Sequence, residues 1–279
     1  MIYICADDYG LTKKSCERIE DCALSGALNK ISVFPNFIKP DMEKLSGLGV
    51  YSGLHINLVE GRAMSDAKDI PLLADENGIF KHSFPGLFLL SVSHRRKEFV
   101  RQLEMEICAQ IEFWQKIGGS FFIDTHQHVH MIPQVFKTLL KAIEDKNVQA
   151  RYLRFPDEPI TPYLKCPSLY FTYSPVNLAK QLTLGFLALF NKRKLRKSGI
   201  KTALFMGIMF SGKMDKTRVE KVLKHYVKTA EKKKSDIEVL FHPGYMLAGE
   251  EHDFSEKFGS FYYSDGRKTE YETLKNLDI

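Results

Sequence analysis

Short apolar runs rich in β-branched and aromatic residues recur along this chain, and helix-like patterns lie between several of them. The runs fall at 2–6, 31–34, 51–57, 120–125, 151–154, 202–208 and 237–241. The clearest helical pattern spans 95–117, where Phe99, Leu103, Ile107, Ile111 and Trp114 recur every three or four residues and Gly118-Gly119 ends the run. A second follows Pro133 over 134–145, and a third covers 215–231 with Asp215 placed as its N-cap. Strands that alternate with helices pair in parallel, because each crossover returns the chain to the same end of the sheet. The expectation is an α/β fold. Seven strand candidates fit a (β/α) barrel, complete or incomplete, with a doubly wound open sheet as the alternative.

Two stretches break the rhythm. Residues 58–94 mix glycine, proline and both polarities, and residues 156–200 open on Pro156-Asp157-Glu158-Pro159 before turning apolar and basic. Both read as insertions into one barrel domain covering 1–279, placed where they shape a substrate cleft.

Composition narrows the function classes. With 44% hydrophobic residues the chain has material for a sizeable core. Forty Lys and Arg against 34 Asp and Glu give a net charge of +6, which admits an anionic substrate or a membrane surface and does not imply nucleic acid. Cysteines stand at 5, 16, 22, 108 and 166, an odd number without a C-x-x-C pair. Together with a start, Met1-Ile2-Tyr3-Ile4-Cys5, that lacks the pattern of a secretory signal, this predicts reduced thiols and a cytoplasmic protein. The longest apolar stretch, 182–190, is too short to span a bilayer.

The polar residues of interest sit at the ends of the strand candidates. Asp7 and Asp8 follow the first. Two adjacent carboxylates repel, so they mark either a turn leading into a helix cap or a place for a cation. His55, in Gly53-Leu54-His55-Ile56-Asn57-Leu58, is either a hydrogen-bonded core histidine or a neutral metal ligand. Asp124-Thr125-His126-Gln127-His128-Val129-His130 crowds three of the nine histidines into five positions, which favours a metal or catalytic site over a chance cluster. All three share one face of an extended segment, and His126 and His130 share one face of a helix. Arg154 beside Pro156 and Glu158 is compatible with a plain salt bridge. His242, in Phe241-His242-Pro243-Gly244, is either packed before a turn or a general acid or base. All of these lie on one face of the expected barrel. An Asp-His-His set there suits Zn²⁺ or another divalent ion with open positions for water and substrate.

At these residues the chain resembles the YdjC-like carbohydrate deacetylase family. The matching blocks are Ala6-Asp7-Asp8-Tyr9-Gly10-Leu11-Thr12, Gly53-Leu54-His55-Ile56-Asn57-Leu58, Asp124 to His130 with Pro133, Arg154-Phe155-Pro156-Asp157-Glu158, and His242-Pro243-Gly244. They run in family order from 6 to 244. Tyr9 stands where Phe is frequent, and 156–200 carries no family motif.

The family is similar to the NodB-type polysaccharide deacetylases, which implies a distorted, TIM-like (β/α) barrel and one divalent metal, Zn²⁺ or Mg²⁺, held by Asp8, His55 and His126. By the same analogy Asp7 is the base and His242 the acid, with Arg154 orienting Asp7. His128 and His130 are expected to support the site rather than ligate. The implied reaction removes acetyl from an N-acetylglucosamine-containing sugar, a chito-oligosaccharide or a glycolipid.

Two other functions stay open on the sequence: another metal-dependent hydrolase of phosphoesterase type, and a non-catalytic sugar-binding or regulatory protein on the same fold. A homodimer is also open. So is an interfacial helix at 178–197, where leucines and phenylalanines precede Lys192-Arg193-Lys194-Leu195-Arg196-Lys197.

Overall fold

The computed structural model describes residues 1–252 and 259–277. Seven strands form one parallel sheet: β1 (Ile2–Tyr9), β2 (Lys30–Val33), β3 (Tyr51–Ile56), β4 (Phe122–Thr125), β5 (Tyr152–Leu153), β6 (Leu204–Met206) and β7 (Ile237–Phe241). Their order is β5-β4-β3-β2-β1-β7-β6. That is the cyclic order of a (β/α) barrel opened between β5 and β6. One backbone bond reaches across the opening, from the Leu153 N–H to the Lys201 carbonyl at 2.9 Å. The seven expected strands are all present, with β1 running three residues further than expected, β2 shifted by one, β7 as expected and the other four shorter, and the sheet is a distorted, curled barrel rather than a doubly wound sheet.

Among the described residues ten α-helices accompany the strands: α1 (Lys13–Leu24), α2 (Met42–Gly47), α3 (Phe84–Val92), α4 (Arg96–Lys116), α5 (Pro133–Asp145), α6 (Thr161–Leu164), α7 (Pro175–Ser198), α8 (Lys216–Lys233), α9 (Gly259–Tyr262) and α10 (Asp265–Lys275). The three helices expected from periodicity are α4, α5 and α8, each within two residues of the predicted ends. Asp215 does cap α8, accepting from the Arg218 N–H at 3.1 Å. No helix among the described residues is long and apolar enough to cross a membrane.

Alternation along the strands decides what fills the barrel. Ile4, Ala6, Ile31, Val33, Leu54, Ile56, Ile123, Leu153 and Val239 belong to the apolar core. The intervening positions meet inside the barrel. At the amino end they are aromatic, with Tyr3 packed on Tyr51, Phe122 and Tyr152 at ring separations of 5.8–6.2 Å. Above them the barrel is charged, where branched apolar side chains are usual. Lys30 donates to Glu238 at 2.7 Å, and Arg154 reaches Glu238 at 2.9 Å and Asp124 at 3.1 Å. Tyr152 donates its hydroxyl to Glu238 as well. Burial pushes the Glu238 carboxyl up, but Arg154 and Lys30 bring it down to about 2. Gly53 is required in β3 because a β-carbon there would lie 2.4 Å from the Phe122 carbonyl oxygen.

The first insertion is held by one face of α4. Gln102 accepts from Leu72 N, Glu106 from Met64 N and Ser65 N, and Gln110 from Asn57 N, at 2.7–3.0 Å. Three polar side chains four residues apart replace the missing sheet partners of that loop.

Candidate active site

Consecutive residues of a regular strand point to opposite faces, so Asp7 and Asp8 need an irregularity to meet in one place. The structure supplies it. The β1–β2 register slips between Ala6 and Tyr9, and Asp8 has φ of 69°. A bulge with a non-glycine residue in the left-handed region costs energy and re-aims a side chain, and it places both carboxylates at the carboxyl end of the barrel. Asp7 and Asp8 are both buried. The helix cap that follows is Thr12, bonded to Ser15 N, and neither aspartate takes that role.

Asp8 Oδ1 lies 3.1 Å from His126 Nδ1 and 3.5 Å from His55 Nε2. One ligand atom from each of Asp8, His55 and His126 lies within 4.8 Å of the others. Ligand atoms at 2.0–2.2 Å around one tetrahedral ion sit roughly 3.4 Å apart, so this spacing suits a single centre. The ring of His55 is held from behind, its Nδ1 donating to Asp124 Oδ1 at 2.5 Å. That leaves Nε2 buried without a hydrogen-bond partner and aimed at Asp8. A histidine backed by a carboxylate and presenting a bare nitrogen is the usual arrangement at a metal. Phe34 packs edge-on against both rings, at 4.8 Å from His55 and 5.1 Å from His126, and keeps the far side apolar.

Charge points the same way. Four buried carboxylates (Asp7, Asp8, Asp124, Glu238) share three fixed cations (Lys30, Arg154, Arg267). Burial alone would depress His55, yet the carboxylates of Asp7 and Asp124 raise it to about 10. A site that makes a buried imidazole this basic favours positive charge, and a divalent ion would take the proton's place, since a ligating imidazole is neutral. Asp8, His55 and His126 therefore fit a divalent metal by donor type, spacing and charge.

Arg154 stands at the end of β5 and donates to both oxygens of Asp7, at 2.6 and 2.8 Å. Burial works against ionisation, but the guanidinium holds the Asp7 carboxyl far below the usual carboxylate range. His242 follows β7, with its side chain 16% exposed while Asp7, Asp8, His55, His126 and Arg154 are buried. Glu270 holds it, accepting from the His242 backbone N–H at 2.5 Å and lying 3.5 Å from Nδ1. The structure brings all six of the singled-out residues to the carboxyl end of the barrel.

The histidine run is neither an extended segment nor a helix. Residues His126–Met131 form a tight turn with Gln127 and His128 at φ of 52° and 55°, so the three imidazoles diverge. His126 faces Asp8. His130, which burial holds down at about 4, is neutral. Its Nε2–H donates to the Arg154 carbonyl at 2.9 Å, and the Thr125 hydroxyl supplies Nδ1 at 2.7 Å. It thus ties the β4 and β5 ends together. His128 packs edge-on to Phe205 at 5.4 Å, and its buried Nδ1 has no partner among the described residues. Asn57 shapes the loop after β3 and accepts from Val59 N and Glu60 N. Tyr9 donates to Glu20 at 2.7 Å, which a Phe could not do. Glu158 accepts from the backbone N–H groups of Gly207, Ile208 and Met209 and shapes the end of β6.

Sequence reasoning missed five contributors. Asp124 stood in the histidine block without a role. Lys30 and Glu238 are charges at inward positions of strands, a pattern visible once the register is known. Arg267 and Glu270 lie on α10 in an ordinary amphipathic sequence, and nothing local marks them.

A family model for YdjC-like proteins matches residues 1–279. A carbohydrate deacetylase of Xenopus laevis is 26% identical over 100% of this chain and 92% of its own length. One of Danio rerio is 29% identical over 57% of this chain, and the match spans half the length of that relative. Among solved structures, one described as a candidate cellobiose-phosphate cleavage protein, from Enterococcus faecalis, superposes with a TM-score of 0.65 at 18% identity, covering 98% of this chain and 90% of that one. That likeness concerns the fold. With the family model matched from end to end, and the Asp8, His55 and His126 blocks assembled at one end of the barrel, this chain belongs to the YdjC-like protein family.

Proposed function

We propose that this protein hydrolyses the N-acetyl group of an N-acetylglucosamine-containing sugar and releases acetate, using one divalent ion held by Asp8, His55 and His126. The observation that carries the reading is the bare, carboxylate-backed Nε2 of His55 aimed at Asp8 beside His126. The names of the deacetylase relatives support the substrate class. A divalent ion at such a centre polarises a carbonyl and lowers the pKa of a bound water toward about 7.

The remaining steps belong to the chain. Asp7 accepts the proton of the attacking water. Its pairing with Arg154 makes it a weak base but keeps it ionised and fixed in one orientation. His242, the more exposed member, donates a proton to the departing amine, with Glu270 fixing its place. Phe34 and the buried walls exclude bulk water, which strengthens each electrostatic contact. The acetylated sugar approaches from the side of His242, the partly exposed member of the site. Its finer form, a free oligosaccharide or a lipid-linked sugar, is decided by comparing the two as substrates.

The test is acetate release from N-acetylglucosamine oligomers and from a lipid-linked N-acetylglucosamine, with and without chelator. Release that is abolished by chelator and restored by a divalent metal is expected. Release unaffected by complete metal removal, or none from any acetylated sugar by metal-loaded protein, refutes the reading and returns the phosphoesterase and non-catalytic alternatives.

A further inference from the structure

Helix α7 carries apolar side chains on both its inward and its outward side. Its inward side anchors it to the barrel through Leu184, Leu187, Ala188 and Leu195, which join the core, and through three amides: Asn177 donates to the Ser211 carbonyl, Gln181 to that of Glu158 and Asn191 to that of Met131, at 2.8–2.9 Å. Its outward side carries leucine and phenylalanine. Leu182, Phe186 and Leu189 are 55%, 59% and 64% exposed, and Leu178 and Phe190 are exposed beside them. At 3.6 residues per turn these five fall within roughly 120° of arc. Arg193, Arg196 and Lys197, all exposed, continue the same strip toward the C-terminal end of the helix.

Charge identifies what covers this face. Residues 159–214 hold nine lysines and arginines and no aspartate or glutamate. A second copy of the chain would bring the same excess of positive charge to the contact. An anionic bilayer meets both halves of the strip, taking the apolar side chains below its headgroups and pairing the guanidinium and ammonium groups with lipid phosphates. The neighbouring surface is consistent. Helix α3 exposes Leu89 and Val92, and α3 and α7 both pack against the His126–Met131 turn. Lys192 pairs with Asp157 at 2.7 Å, which fixes α7 to the loop after Arg154. Helix α7 thus packs against the turn that carries His126 and is tied to the loop after Arg154, with its apolar strip facing outward.

We infer that α7 docks this protein on the surface of an anionic phospholipid bilayer. The inference does not depend on the proposed reaction, and its test does not use activity.

Full-length protein is sedimented with vesicles of phosphatidylcholine alone and with phosphatidylglycerol added. Partitioning onto the anionic vesicles should exceed that onto neutral ones by about ten-fold or more and weaken as salt rises. A triple variant, Leu182→Ser with Phe186→Ser and Leu189→Ser, and a charge variant, Arg193→Glu with Arg196→Glu and Lys197→Glu, should each lose about ten-fold or more of that binding. Should a triple variant fail to fold, Leu189→Trp provides a second readout, a blue-shifted and strengthened emission on adding anionic vesicles. Absence of partitioning by the folded wild type, binding unchanged in folded triple variants, or no shift at position 189 overturns the inference. A concentration-dependent dimer that the serine variant abolishes also overturns it, by showing a second copy on this face.

Discussion

Arg267, on the helix nearest the C-terminus, donates to Oδ2 of Asp8 across 259 positions of sequence. Its guanidinium lies over the rings of Phe261 and Tyr262, at 4.4 and 4.7 Å, so it is clamped before it meets the carboxylate. Burial would push Asp8 up, but Arg267 and His126 hold its carboxyl well below the usual range. Occupation of Oδ2 by arginine leaves Oδ1 facing the two imidazoles. Three residues further along α10, Glu270 holds His242. One turn of helix therefore positions both a candidate ligand and the candidate acid.

Arg267→Ala should leave a buried carboxylate without its fixed cation, a loss of about 3–5 kcal/mol when nothing replaces it. A bound divalent ion replaces part of that charge. The melting temperature of the chelated protein should consequently fall more than that of the metal-loaded protein. Equal falls in the two states would show that Arg267 does not act through Asp8.

His55→Ala should bind less than about a tenth of the metal that the wild type retains after gel filtration, measured by elemental analysis, while its circular dichroism stays native. Asp124→Asn removes the carboxylate behind His55, and its metal affinity should drop by roughly 10–100-fold. Stoichiometric metal in a folded His55→Ala protein would displace the centre from these residues.

Asp7→Asn and His242→Ala act on the reaction and not on the centre. Each should keep its metal and lose about 10²–10⁴-fold in kcat. Near-normal turnover in either variant removes that residue from the chemistry.

Glu158 gives a pH signature away from the metal residues. Burial raises its carboxyl from 4.5 to about 7, against the opposing pull of Tyr163 and three backbone amides. The folded state then binds a proton more tightly than the unfolded state. Its contribution to stability is fully present below about pH 4.5 and is lost as pH rises through about 7. Glu158→Gln, neutral throughout, has no such loss. The stability of wild type relative to this variant, from urea unfolding, should decline between pH 4.5 and 7 and then level off. A flat difference would mean that the amides of 207–209 keep Glu158 ionised throughout.

The sequence by itself determined the seven strands, the three longest-patterned helices and the identity of the polar residues at the strand ends. These are local or periodic properties. Apolar alternation sets the strands, and the amphipathic repeat of Phe99, Leu103, Ile107 and Ile111 sets α4. The blocks around Asp7, His55 and His126 were visible because each is contiguous.

Tertiary structure decided what those residues are for. A bulge with positive φ at Asp8 turns two neighbouring aspartates into one site, which no pattern of side chains announces. The three crowded histidines separate, since the turn at Gln127 and His128 sends one to Asp8 and another to the Arg154 carbonyl. Arg267, Glu270 and Glu238 join the site through strand and helix packing across 259, 28 and 84 residues of sequence, and Coulomb energy depends on separation in space alone. The apolar strip of α7 was legible as a helix face, but whether it met the barrel or the solvent was settled by packing: Leu184, Leu187, Ala188 and Leu195, with the amides of Asn177, Gln181 and Asn191, took the barrel side and left Leu182, Phe186 and Leu189 outside.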